Sequence, residues 1–293
     1  MPSANTINKP TANAGRKCEE LKYLPPGTCE YKYSGNIKDM EKTIQLEGGA
    51  FLALMDGQST PVRNPFMGFS CVSQAAVEQH VENNRNIEKL VFSYDKINHI
   101  LVLRMPSRAH ELAASVFGDL VGKKLAKMRL SFLDLHNLLS SWVTTTRRKK
   151  APDMSWQPTE LPKGRSHLWP TFVLEVGYTE TEAQLEHVGI VITIDIEMDK
   201  GRLLIGKWEM GASTRPARQN MYRGCIPQLI ETTCILRIAD SNIWEADDAV
   251  RLPFEKIFLR TPSSRESDLV LTRKNLQQLA AMVWRDPRCS ETA

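Results

Sequence analysis

Cysteine is scarce and scattered: six residues, at 18, 29, 71, 225, 234 and 289, with no Cys-x-x-Cys pair and no histidine at zinc-ligand spacing. A structural zinc site therefore has little support, and buried free thiols are the simple reading. Long apolar runs are also missing. The longest, such as Ile190-Val191-Ile192-Thr193-Ile194, are far too short to span a bilayer, and the polar stretch Met1–Glu20 has no apolar centre of the signal-peptide kind. An intracellular protein, nuclear or cytoplasmic and with no membrane partner, is the expectation. No internal repeat is present, and no Gly-x-Ser-x-Gly elbow, so hydrolysis through an acyl-enzyme is unsupported. A strong charge of one sign is lacking as well, because a net +4 over 293 residues is mild and does not by itself imply nucleic acid.

What is present is an ordinary globular composition, 42% hydrophobic and 25% charged, enough for one sizeable core with elaborations. Residues 1–40 are rich in Asn, Thr, Pro, Gly and Lys without apolar periodicity and read as a disordered tail. Residues 41–87 read as an N-terminal elaboration, residues 88–285 as the main core, and residues 286–293 as a second tail. Leu90-Val91-Phe92-Ser93-Tyr94 and His99-Ile100-Leu101-Val102-Leu103 flank a turn-competent linker and predict a hairpin. Ser107 caps a predicted helix whose apolar stripe (Leu112, Val116, Phe117, Leu120, Val121, Leu125) has the 3.6-residue period. Predicted strands follow at Trp142–Thr146, around Asp153, at Trp169–Gly177, at Gly189–Ile196, at Arg202–Trp208, at Cys234–Ile238 and at Val250–Leu259. A short helix is expected near Thr181–His187 and a closing helix at Thr272–Trp284. The expected class is α/β or α+β, a central mixed β-sheet flanked by helices.

Two segments are read as short strands that each expose one carboxylate: Asp153, after Pro152, and Glu175, within Phe172-Val173-Leu174-Glu175-Val176. The two-residue period puts Glu175 on the face opposite Phe172, Leu174 and Val176. Hard divalent cations take oxygen ligands, commonly one or two carboxylates plus substrate phosphate oxygens, so Asp153 and Glu175 on neighbouring antiparallel strands suit Mg2+ or Mn2+. Glu111 shares its helix face with Ser115, Gly118 and Gly122, small residues that let a backbone or ligand approach, and it is the third candidate. Each has a plainer reading. Asp153 suits a turn, Glu175 suits a salt bridge to Lys or Arg, and Glu111 is favoured near a helix N-terminus by the dipole. Arg147, Arg148, Lys149 and Lys150 form a run that reads as a solvated face, an import-like patch or a set of phosphate contacts. His110 and His187 have no obvious ligand partners.

Arg104-Met105-Pro106-Ser107-Arg108-Ala109-His110-Glu111, Lys150-Ala151-Pro152-Asp153, Trp169–Gly177, Ile205-Gly206-Lys207-Trp208 and the tail from Leu252-Pro253-Phe254 to Trp284 occur in an order that resembles the PD-(D/E)XK nuclease superfamily. The likeness is to its restriction-endonuclease-like group and a set of uncharacterised fungal proteins, over roughly residues 88–285. It implies a restriction-endonuclease-like core and an acidic site that binds magnesium or manganese and activates water against a phosphodiester of DNA or RNA. It also implies that Asp153 is the motif's Asp, Glu175 its second acid and Glu111 the acid that some members supply from the first helix. The motif places a lysine two residues beyond the second acid, where this chain has Gly177, and Tyr178–His187 contains no Lys or Arg. Lys149, Lys150 and Lys207 are the substitutes within the likeness. The link from Gly177 to His187 just meets the ~10 to 12 residues that a strand-helix-strand crossover needs. Three functions follow: a metal-dependent nuclease, an inactive relative that binds nucleic acid or a protein, and an unrelated interaction module.

Overall fold

The computed structural model describes residues 28–55, 65–105, 107–139, 142–144, 148–177, 188–212, 225–239 and 241–285. In chain order the elements begin with β1 (Cys29–Lys32), α1 (Ile37–Met55), β2 (Phe66–Ser70), helical turns over 74–81 and 85–88, β3 (Val91–Asp95), β4 (Ile100–Arg104) and α2 (Arg108–Lys127). Then come β5 (Leu135–Asn137), β6 (Val143–Thr144), β7 (Arg148–Lys150), β8 (Met154–Pro158), β9 (Phe172–Val176), β10 (Ile190–Glu197), β11 (Arg202–Ala212) and β12 (Cys225–Arg237). The chain continues through β13 (Trp244–Ala246), β14 (Val250–Leu252), α3 (Phe254–Phe258), β15 (Leu269–Leu271) and α4 (Arg273–Val283).

Two mixed sheets result, with helices packed on them, as the composition and pattern lead one to expect. The first runs β1-β2-β4-β3-β7-β6, with β1 and β2 parallel and the other neighbours antiparallel. The second runs β13-β12-β11-β10-β9-β8-β5, parallel only between β9 and β10. The chain leaves the first sheet and enters the second through Ala151-Pro152-Asp153, between β7 and β8. That passage places the site.

Helix α2 forms where expected because Ser107 accepts the His110 N–H at 3.2 Å and one stripe (Ala113, Phe117, Leu120, Val121, Leu125) is buried on the second sheet. Phe117 there meets Trp156 and Phe172, whose rings stack with centroids 4.6 Å apart. β9 is covered on both faces: Phe172, Leu174 and Val176 join the core under α2, and Val173 packs with Val188 and Val191 on the other side. A second core gathers Met40 and Ile44 of α1 with Phe69, Tyr94, Leu101 and Leu103 of the first sheet.

Several expectations change. β1 and the first turn of α1 lie inside the first forty residues, and the first sheet takes strands from both sides of the expected 87/88 boundary. The strand expected over Val250–Leu259 stops at Leu252, since Pro253 starts α3 and Phe254, Ile257 and Phe258 are buried at helical spacing. β6 covers Val143–Thr144 of the strand expected at Trp142–Thr146. The expected helix at Thr181–His187 lies outside the described residues, as do Arg147 and residues 286–293.

Candidate functional site

The antiparallel register of β8 on β9, Met154↔Leu174, continued by one residue brings Asp153 beside Glu175. The register thus sets Asp153, one residue before β8, next to Glu175 of β9 along the backbone, and neither carboxylate is exposed. The Asp153 side chain is 5% accessible and that of Glu175 0%. β9 lies inside the sheet, covered on both faces, so the side opposite Phe172 and Leu174 is interior too.

Asp153 is held from three directions. Its Oδ2 accepts the Val176 N–H at 2.6 Å, and its two oxygens receive both terminal nitrogens of Arg104, Nη1 at 3.3 Å from Oδ2 and Nη2 in closer contact with Oδ1. Arg104 Nη1 also donates to the Val176 carbonyl at 3.1 Å, so the guanidinium binds the strand end and the acid together. His110 Nε2 lies 3.1 Å from Asp153 Oδ2. Burial pushes the Asp153 carboxyl up, but the Arg104 charge and the His110 contact overcome it and leave Asp153 well below the usual carboxylate range.

Glu175 faces the Lys150 ammonium, with Nζ 3.6 Å from Oε2 and the Lys150 side chain almost as buried as its partner. Its plainer reading, a salt bridge, is thus also part of the arrangement. Of the three lysines offered as substitutes for the missing motif lysine, Lys150 is the one that meets an acid of the site. Lys149 is ion-paired with Glu82 and lies over the Trp142 ring, and Lys207 binds Glu231 and the Arg251 carbonyl. Gly177 ends β9 with a φ of +86°, a left-handed conformation that a lysine adopts only under strain. A lysine at the motif position would cost about 1–2 kcal/mol in backbone strain.

Glu111 does not point into a tight place. Its side chain is 65% exposed, and its contact is with His110, Nδ1 to Oε1 at 3.4 Å. The close approach occurs farther along that face, where a Cβ on Gly118 would lie 2.7 Å from Met154 Cε. Sequence spacing gives His110 no partner, although it lies inside the Arg104–Glu111 segment. Burial, the largest influence, pushes its imidazole down, but the Asp153 and Glu111 carboxylates beside its two ring nitrogens raise it overall. The phosphate-contact expectation for β7 is altered too: Arg148 pairs with Asp95 at 3.8 Å, Lys149 with Glu82 and Lys150 with Glu175, so these cations already face carboxylates.

Asp153 and Glu175 supply the oxygen donors that a hard divalent cation takes. Among the described residues no three His, Cys, Asp or Glu side chains gather into a ready metal cluster. By donor type the pair fits such an ion, with Arg104 as the competitor for Asp153. No helix among the described residues is long and apolar enough to cross a membrane.

No family model matches the chain, and no curated protein matches it. Among solved structures it is similar to a candidate nuclease of the DUF820 group from Anabaena variabilis, at 15% identity and a TM-score of 0.35, over 66% of this chain and 92% of that one. A likeness of that size leaves the site to be read from its own geometry.

Proposed function

We propose that the chain is a PD-(D/E)XK-type nuclease acting on phosphodiesters of DNA or RNA, with Asp153 and Glu175 as its acids and Lys150 in place of the motif lysine. The observation that carries this reading is the Lys150 ammonium set against Glu175 from the neighbouring sheet, where the linear motif has only Gly177. Asp153 and Glu175 would hold Mg2+ or Mn2+, which supplies a Lewis acid for a phosphoryl oxygen and a water of lowered pKa. Lys150 fixes the Glu175 carboxylate and provides a positive charge where negative charge develops during phosphodiester cleavage. His110 and Arg104 hold the Asp153 carboxylate ionised and oriented. Glu111 stands at the exposed rim, attached through His110.

The test is divalent-dependent cleavage of single- and double-stranded DNA and RNA by the full chain. Loss of at least about a hundredfold is expected in Asp153→Asn, Glu175→Gln and Lys150→Met, each checked for folding by circular dichroism. No cleavage across that panel with either metal sinks the proposal.

A second reading, an inactive relative that binds nucleic acid or a protein, is favoured by the grip of Arg104 on Asp153. The two carboxylates are already balanced by two cations, Arg104 and Lys150. On this reading the full chain binds no Mn2+, and Arg104→Gln gains binding in calorimetry. Mn2+ binding by the unaltered chain at Asp153 removes this alternative.

A further inference from the structure

Both cations of the site lie over one aromatic ring, that of Phe92. Lys150 Nζ is 4.3 Å from the ring centroid and Arg104 Cζ 5.4 Å. This placement depends on an irregularity in β3. The register against β4 passes from Val91↔Leu103 to Ser93↔Val102, so Phe92 is the extra residue of a β-bulge. A regular strand would put Phe92 and Tyr94 on one face. Instead Val91 and Tyr94, three residues apart, share the core containing Leu101 and Leu103, and Phe92 packs with Phe66, Ile100 and Val102 on the other side.

That other side is where the cations are. Lys150 lies opposite Ser93 in the β3–β7 pairing, and Arg104 shares a face of β4 with Ile100 and Val102 and pairs with Phe66. Phe66 meets Phe92 edge to face, with centroids 5.0 Å apart and planes 70° apart, which fixes the tilt of the ring. The negative face of an aromatic ring attracts a cation, and the attraction is larger where water is excluded. Phe92 and Lys150 are both buried.

We propose that Phe92 is a positioning residue: the β3 bulge aims its ring so that it sets the Lys150 ammonium against Glu175 and the Arg104 guanidinium against Asp153. The proposal deepens the nuclease reading, in which Lys150 serves as the site lysine. A lysine stem has four rotatable carbons, so an ammonium held on one side by a carboxylate alone retains freedom that the ring removes. Leucine would fill the space but offer the cations no electrostatic face.

Incorporation of mono-, di- and trifluorinated phenylalanine at position 92 tests this, because fluorine drains the negative face with little change of shape. The equilibrium constant for unfolding in urea is expected to rise stepwise, about three- to tenfold from phenylalanine to the trifluoro ring. In a Lys150→Met/Glu175→Gln background, which removes both members of the pair and leaves neither charge alone, the slope should fall to less than half. A flat series, or equal slopes in the two backgrounds, overturns the proposal. Where the full chain cleaves, kcat should fall along the same series at constant KM, and a constant kcat overturns the link to the site. A chain that cleaves nothing removes the nuclease reading, and the two urea series still decide the role of the ring.

Discussion

At the scale of single residues, His110 is the most consequential addition to the candidate site. Both of its ring nitrogens face carboxylates, Asp153 at 3.1 Å and Glu111 at 3.4 Å, and both can donate only when the ring is an imidazolium. Its pKa is raised above the ordinary 6.5, so the stabilisation it gives is fully present below that value and is lost as pH rises through the folded-state pKa. Asp153 behaves in the opposite sense. Its pKa is lowered from 3.8, so its contribution is present above that value and is lost as pH falls through the folded-state pKa. The stability difference between the unaltered chain and His110→Asn, measured by urea unfolding, should therefore be constant between about pH 5 and pH 6, where the Asp153 and Glu111 carboxylates stay ionised, and shrink above that range. A difference that is flat to pH 9 would show that the imidazolium is not what the fold uses. Sequence alone made Glu175 legible, because a charge inside an apolar strand demands a partner. It left His110 without a role, since its partners come from a strand end forty-three positions away and from a neighbour whose side chain points to solvent.

At the scale of elements, legibility follows local signals. Helix α4 is readable from the spacing of Leu276, Leu279, Ala280 and Val283, and it starts at a reciprocal cap: the Asn275 N–H donates to Thr272 Oγ1 at 3.4 Å, and Asn275 Oδ1 accepts the Thr272 N–H at 3.1 Å. The helix buries Leu276, Leu279 and Val283, and Trp284 beyond its end meets the Trp244 ring at 4.5 Å, so fraying of the first turn would loosen packing in the larger core. Thr272→Ala should cost about 1 kcal/mol, seen as a lower urea midpoint at unchanged m, and Thr272→Ser should cost much less. Equal stability of Thr272→Ala and the unaltered chain would assign α4 to packing alone. α1 was not readable, because Gly48 and Gly49 in its middle weaken helix propensity. It forms by burying Met40, Ile44 and Phe51, and Gly48 leaves room for Met105, whose Cε would lie 2.6 Å from an added Cβ. The β3 bulge left no mark in the sequence either, because it reverses an alternation that Val91-Phe92-Ser93-Tyr94 would satisfy equally well without it.

At the scale of the whole molecule, the candidate site is also the junction of two cores. Arg104 and Lys150 come from the first sheet, Glu175 from the second and Asp153 from the end of the Ala151–Asp153 passage that leads into it, and the two ion pairs among them join the halves. The sequence presented these segments as one continuous core from residue 88, since nothing local marks a change of sheet between Lys150 and Met154. Breaking one partner of a buried pair costs about 3–5 kcal/mol, because the remaining charge stays desolvated. Asp153→Asn with Glu175→Gln leaves Arg104 and Lys150 as two such charges, both on the first sheet, so the penalty falls on that half. Trp142 packs on the first core and Trp156, Trp208, Trp244 and Trp284 on or beside the second sheet, so Trp142→Phe leaves the tryptophan signal to the second half while circular dichroism still reports α1 and the first sheet. In the unaltered chain, urea transitions followed by tryptophan fluorescence and by circular dichroism should coincide. In the double variant carrying Trp142→Phe as well, circular dichroism should lose amplitude at lower urea than fluorescence. Coincident transitions in both would mean that the halves are coupled by the packing of α2 and the surrounding strands, with the four charges serving the site alone.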